Sequence, residues 1–289
     1  MSALEILRPG PLALLQDAGR PGLAALGITG SGAYDRVAFR AGAALVGNDP
    51  AGGDAAIEIT LGGLAVRAAG AVRVALTGAP APAVIGALPA PYGRAFTLAD
   101  GDELALGTPP RGVRSYLSVR GGLLAEPEFG SRSRDLLAQL GPPPLSAGDL
   151  LPVGPEPAWQ PGAHETLPPD FPAVLDLLPG PRTDWLADPA ALAGAWEVSP
   201  QSDRVGVRLL GAPLAWAADR VGAELPSEPV VRGAVQVPPG GLPVLFGPDH
   251  PTTGGYPVAG VIAAADRLAQ LRPGDRITLR WQAPSRPTA

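Results

Sequence analysis

The sequence predicts a mainly β protein with a few short helices. Three observations carry this: apolar runs of strand length, glycine and proline punctuating them throughout, and few stretches with helical periodicity. The chain has 289 residues, 39 of them glycine and 37 proline. These two residues are spread between apolar runs instead of clustered, which is the pattern of many short strands joined by tight turns and not of disorder.

Leu4–Leu7 and Pro11–Gln16 read as strands bracketing the Arg8-Pro9-Gly10 turn. Gln16–Gly22 and Gly27–Gly32 follow as polar loops. Asp35 is placed to cap a helix in which Val37, Ala38, Ala41, Ala44 and Leu45 repeat at helical spacing, and Gly47-Asn48 stops it. An anion fits the N-terminus of that helix, and Ser31-Gly32 also reads as a plain turn into a capped helix. Ala56–Thr60, Leu64–Arg67, Val72–Thr77 and Arg114–Arg120 are further strands. Ser131–Asp135 leads a short helix expected to run through Leu140.

One turn recurs in Leu98–Leu104, Leu145–Leu151 and Leu271–Ile277. In each, a leucine enters a Gly-Asp step that opens an alternating strand, as suits small β-barrels. Prolines at 152, 155, 157, 161, 168, 169 and 172 mark a linker, so the expected organisation is a first β-rich lobe over 1–155, a linker over 156–172 and a second lobe over 173–289. His164 falls in that linker and is given no role.

In the second lobe Val174–Leu178 is a strand, and Asp188 with Pro189 starts a helix expected to reach about Trp196. Val205, Val207 and Leu209 alternate on one strand face. Arg204 lies outside that face and is expected either to pair locally with Asp203 or to reach a ligand anion. Val230–Val237 is a strand carrying Gln236, and Leu242–Phe246 and Pro257–Ile262 are two more.

Between these last two strands lies the segment most suited to chemistry. Phe246–Pro257 holds His250, one of 2 histidines in the chain, with Asp249, Thr252, Thr253, Gly254, Gly255 and Tyr256. Pro248 and Pro251 force the backbone out of regular structure, and Gly254-Gly255 is expected to permit conformations closed to other residues. The same spacing also fits a Gly/Pro-rich turn with a surface histidine, and no general catalytic motif matches it.

Composition excludes several chemistries. The 22 cations are all arginine. A chain without lysine has no Schiff-base or P-loop lysine and carries no covalent biotin or lipoyl group. Without cysteine there is no thiol nucleophile, disulfide or thiolate metal site, and no other metal site is expected. A net charge of −5 without basic tracts argues against nucleic acid. No leader-like or membrane-spanning apolar run occurs, so a cytoplasmic location is expected.

Several motifs occur together in order: Gln16-Asp17-Ala18-Gly19-Arg20-Pro21-Gly22, Ser31-Gly32-Ala33 with Asp35, Leu45-Val46-Gly47-Asn48, Glu58–Gly63, Ser199–Arg204, Gln236–Pro239 and Thr252–Pro257. With them the chain resembles, end to end, the biotin-dependent carboxyltransferase family. That family includes the C-type subunit of 5-oxoprolinase (PxpC, KipA) and the second half of the urea carboxylase carboxyltransferase domain, formerly called allophanate hydrolase subunit 2. The resemblance implies two β-barrel-rich lobes with a cyclophilin-like fold. It implies partners, a KipI-like B-type subunit and an A-type subunit, that together with ATP cleave 5-oxo-L-proline to L-glutamate, this chain being inactive alone. ATP is then a requirement of the complex, with no Walker-type lysine loop here to hold it. Two departures are Tyr34 where methionine is common and Ala43 in place of a frequent asparagine; Ala43 weakens any substrate contact from that helix.

Under this reading Arg204 is expected to grip the substrate carboxylate, the Gly254 and Gly255 amides to hold a developing oxyanion, and His250 or Asp249 to move protons, with Tyr256 beside them. Ser202, Gln236, Thr252 and Thr253 are expected to bind substrate. Carboxyl transfer from a separately carried biotin to a urea-like nitrogen is the alternative chemistry, with Ser202 or Thr252 on the ureido group. A non-enzymatic antagonist of a KipI-like kinase inhibitor is the alternative of another class.

Overall fold

The computed structural model describes residues 2–49, 51–158, 160, 166–169, 171 and 173–282. His164 lies outside them. The chain divides into two compact units, Met1–Phe171 and Pro172–Ala289.

The first unit is built from two antiparallel sheets. One has six strands in the order Leu150–Pro152, Ala3–Pro9, Leu64–Ala69, Glu103–Leu106, Ala83–Ile85, Leu88–Pro89. The other has five, in the order Leu12–Gln16, Ala56–Thr60, Arg114–Val119, Val72–Gly78, Ala95–Leu98. The Gly10 turn carries the chain from one sheet to the other, and only glycine fits it. Its φ is +73°, and a Cβ would stand 2.2 Å from the Gly62 carbonyl oxygen. Alternate residues of both sheets, among them Leu4, Ile6, Ile57, Ile59, Val66, Val74 and Leu117, form one apolar core.

The helix α1, Arg36–Val46, begins and ends where local chemistry places it. The Asp35 carboxylate accepts the Ala38 N–H at 2.9 Å, and Gly47, at φ +78°, closes the C-terminus. Its buried side, including Phe39 and Ala43, packs on strands of the five-stranded sheet.

The second unit is a closed seven-stranded barrel in the order Val174–Pro179, Val258–Ile262, Ala234–Gln236, Val244–Phe246, Gly206–Leu210, Ala195–Val198, Arg276–Trp281. Parallel pairing of Val174–Leu177 with Thr278–Trp281 closes it. Closure leaves the barrel no free edge. A two-stranded ribbon, Glu228–Pro229 with Thr253–Gly254, stands beside it.

The repeated Gly-Asp turn has one geometry at all three places. The aspartate carboxylate accepts the N–H three residues back, Asp102 from Ala99 and Asp149 from Ser146 at 2.7 Å and Asp275 from Arg272 at 2.8 Å. Each glycine has a positive φ, and its N–H donates to a neighbouring strand, at Ala68, Ile6 and Val198 respectively. The side chain thus closes the turn while the glycine ties it to the sheet.

Two expected helices are not formed. Residues 131–140 make turns, because Asp135 accepts from Leu137 N and Ala138 N at 2.9 and 2.8 Å while Gln139 and Gly141 take φ values of +59° and +75°. The helix started by Asp188 is a 3-10 turn, Pro189–Leu192, and Trp196 belongs to a strand opposite Ile277. Sheet pairing overrides the helical spacing there. The strand expected over Val230–Val237 shrinks to Ala234–Gln236, interrupted by Gly233 at φ +85°.

Candidate functional site

The second unit brings the two loops singled out in the sequence together. Arg204 Nε and NH2 donate to Asp249 Oδ2 and Oδ1 at 2.8 and 2.9 Å. The two side chains are 1% and 0% exposed. The backbone repeats the link, with Asp249 N donating to the Arg204 carbonyl at 3.2 Å and Gly247 N to that of Val205 at 2.9 Å.

This geometry corrects the expectation for Arg204. Its planar fork is matched two-for-two by the internal carboxylate of Asp249. Asp203 instead accepts the Val205 and Gly206 N–H groups at 2.8 and 3.0 Å. Arg204 and Asp249 position the loop, and the roles of substrate clamp and proton carrier do not suit so enclosed a pair.

His250 follows directly and is half-buried, its ring 6.1 Å from that of Phe246. Its Nδ1 lies 2.7 Å from the Pro251 carbonyl oxygen. A carbonyl only accepts, so Nδ1 carries the hydrogen, and in the neutral form of the ring Nε2 is the basic atom.

Gln236, 8% exposed on its barrel strand, donates from Nε2 to the Tyr256 carbonyl at 3.1 Å and so ties barrel to loop. Gly254 makes room for it: a Cβ there would stand 2.7 Å from Gln236 Nε2. Neither Gly254 nor Gly255 has a positive φ, so the expected special backbone conformation is not the reason for either glycine. Thr252 accepts the Val230 N–H at 3.0 Å through its carbonyl, and the exposed Thr253 lies in the ribbon. Ser202 closes the turn before its strand, accepting the Arg208 N–H at 3.0 Å, and does not join the others.

A cavity of about 620 Å³ opens at the Gly255–Tyr256 end of this loop, walled by Leu214, Trp216, Val221, Leu225 and Pro239. Tyr256 is 47% exposed at its rim. Trp216 is fixed by donating to the Val237 carbonyl at 3.2 Å and by an edge contact with Trp185 at 5.4 Å. His250, Arg204 and Asp249 do not line this cavity.

The first unit holds two buried polar clusters whose roles the sequence alone leaves unassigned. Glu58 Oε2 accepts from Tyr34 N at 2.8 Å and from the Tyr116 hydroxyl at 2.7 Å, while that hydroxyl accepts the Asp35 N–H at 2.7 Å. Arg114 lies over the Tyr34 ring, 4.1 Å from its centre. Burial first, then the neighbouring Glu58 and Asp35 carboxylates, push the Tyr116 phenol well above its usual pKa. In the second cluster Asp17 Oδ1 accepts from Gly19 N, Ser131 Oγ and Ser133 Oγ at 2.8, 2.6 and 2.5 Å, and Oδ2 from Arg132 N at 2.6 Å. Arg20 and Gln16 donate to the carbonyls of Ser133 and Arg134 at 2.5 and 2.8 Å. The polar runs at Gln16–Gly22 and Ser131–Asp135 were the signal for this cluster. Among the described residues no group of acids and histidines is arranged to hold a metal, and no helix is long and apolar enough to cross a membrane.

Two β-built units with a polar loop leaving a barrel define a class that comparison with known proteins makes specific. Residues 26–281 match the carboxyltransferase domain, subdomain A and B, and the chain belongs to that family. The C-type 5-oxoprolinase subunit of Escherichia coli (strain K12) is 37% identical over 282 residues, covering 95% of this chain and 89% of that protein. A putative urea carboxylase of Emericella nidulans is 32% identical over 97% of this chain, which spans 24% of that longer protein. The crystal structure of the Kluyveromyces lactis urea carboxylase superposes with a TM-score of 0.89 at 27% identity, over 97% of this chain and 27% of that one. The first relative is by name one subunit of an enzyme.

Proposed function

We propose that this chain is the C-type subunit of an ATP-dependent 5-oxoprolinase complex that opens 5-oxo-L-proline to L-glutamate. The supporting observation is the correspondence with the C-type subunit of Escherichia coli, which runs over 89% of that protein at 37% identity. Urea carboxylase relatives are matched only over a segment of their length.

A lactam carbonyl is a poor electrophile. Transfer of the γ-phosphoryl group of ATP to its oxygen makes the ring carbon reactive; water then adds to that carbon and the ring C–N bond breaks to leave an acyl phosphate, which a second water hydrolyses to the carboxylate and free phosphate. A group that takes a proton from water and returns one to the departing nitrogen speeds both steps. His250 is assigned that role, because its Nδ1–H is anchored to a carbonyl and Nε2 is the basic atom. The Gly254 and Gly255 amides are assigned to the developing oxyanion. Arg204 and Asp249 hold the loop in register, and Gln236 fixes its far end through the Tyr256 carbonyl. ATP is a requirement of the complex formed with homologues of the A-type and B-type subunits, so the chain alone does not turn over.

A second reading is supported by the Kluyveromyces lactis superposition: carboxyl transfer from biotin to a urea-like nitrogen. Biotin would arrive on a separate carrier, since this chain has no lysine to hold it. The deciding experiment is reconstitution with the candidate A-type and B-type subunits. Phosphate release that depends on 5-oxoproline and on this chain supports the first reading. Transfer that requires a biotinylated carrier, with no response to 5-oxoproline, overturns it.

A further inference from the structure

The first unit carries a paired-arginine cavity outside the loop discussed above. Arg120 follows its strand and donates its backbone N–H to the Arg73 carbonyl at 2.9 Å, so the two arginines are cross-strand neighbours. Thr97 stands opposite Arg73 on the next strand. Adjacent strands lie about 4.8 Å apart, which sets the three side chains in one row. They line a cavity of about 660 Å³ whose other walls include Val72, Leu124 and Val153.

Like charges facing each other across strands repel, so this row is costly unless an anion sits against it. The fold supplies one only partly. Arg120 is pinned, its NH1 donating to the Val46 carbonyl at 2.8 Å and its NH2 to that of Pro157 at 3.3 Å, while its Nε pairs with Glu156. Glu156 is 75% exposed, and an ion pair so open to water contributes little. Arg73 is exposed, with no hydrogen bond or ion pair from its side chain among the described residues.

We propose that the row Arg120, Arg73 and Thr97 binds the phosphate group of a phosphorylated small molecule, with Glu156 as its intramolecular competitor. With Glu156 displaced, the Arg73 fork, the Arg120 Nε–H that Glu156 holds and the Thr97 hydroxyl suit the oxygens of a phosphate dianion. The apolar wall at Leu124 and Val153 receives the body of the molecule. That this molecule is a nucleotide rests on the ATP-dependent reading above; the anion site itself does not.

Calorimetric titration of the whole chain with inorganic phosphate and with ADP tests this without any turnover. Saturable binding of at least one probe is expected. Arg73→Ala should weaken it about tenfold or more, the scale of a charged hydrogen bond, without lowering Tm. Glu156→Gln should tighten it several-fold. Glu197→Gln, an equal charge change on an exposed barrel residue, should leave it alone. Absence of saturable binding, or equal shifts from the two glutamate variants, overturns the site. A parent chain that binds neither probe although its complex turns over 5-oxoproline defeats this inference alone, and a parent chain that binds although its complex does not turn over defeats only the functional reading.

Discussion

Arg204 and Asp249 stand 45 residues apart in sequence and meet through two hydrogen bonds, both side chains closed off from solvent. This pair is what places the loop that ends in His250. Removing one member leaves the other charge buried and unpaired, which costs about 3–5 kcal/mol, whereas replacing both by apolar groups of similar size is far milder. Asp249→Leu and Arg204→Met should each lower unfolding free energy by about that amount, and the double variant that combines them should recover much of it. Urea unfolding curves of the single and double variants check this. Additive losses would show that the two side chains are not coupled.

The ribbon beside the barrel depends on pH through Glu228. Its carboxylate is held by Arg182, Nε donating to Oε2 at 3.0 Å, and that hydrogen bond pulls the Glu228 pKa below its ordinary value. A group lowered on folding stabilises the fold above its unfolded pKa, about 4.3 for glutamate, and loses that contribution as pH falls through the folded value. Glu228→Gln should therefore have a lower Tm than the parent at pH 7, with the difference beginning to shrink below about pH 4 and gone once pH lies below the lowered folded value. Thermal melts across that range give the answer, and a difference that persists in acid would separate Glu228 from its arginine.

Tyr116 bridges the cap of α1 to Glu58, accepting the Asp35 N–H and donating to the carboxylate. Tyr116→Phe leaves both partners buried without it and should cost about 1–3 kcal/mol in chemical denaturation. The raised pKa of this phenol, and that of the partly buried Tyr92, further predict at least two tyrosines that stay unionised at about pH 10 in an alkaline spectrophotometric titration of the folded protein. Smooth titration of every tyrosine near pH 10 in the folded state would contradict the burial.

What the sequence made legible was what is decided within a few residues. Asp35 and Gly47 fix the ends of α1 by local capping, and each Gly-Asp step closes its own turn through the aspartate three positions on. What it hid was decided at a distance. Trp196 has helical spacing from Pro189 but is taken by a strand pairing with Ile277. Ser131–Asp135 resembles a helix start, yet Ser131 and Ser133 are bound to Asp17, more than a hundred residues earlier. The candidate loop was visible as a concentration of His250, Thr252, Thr253 and Tyr256, while the partner of Arg204 was not. An arginine beside an apolar strand face reads equally as a ligand contact and as half of a buried pair until its acid is located.

His250 carries the chemistry assigned to this chain, and its half-buried ring rests against Phe246. The most direct measurement is glutamate release by the reconstituted complex containing His250→Ala. Loss of a positioned acid–base group predicts a fall in kcat of about 10²–10⁴ with Tm and the KM for 5-oxoproline little changed. Turnover at the parent rate would contradict the assignment and remove the loop from the reaction.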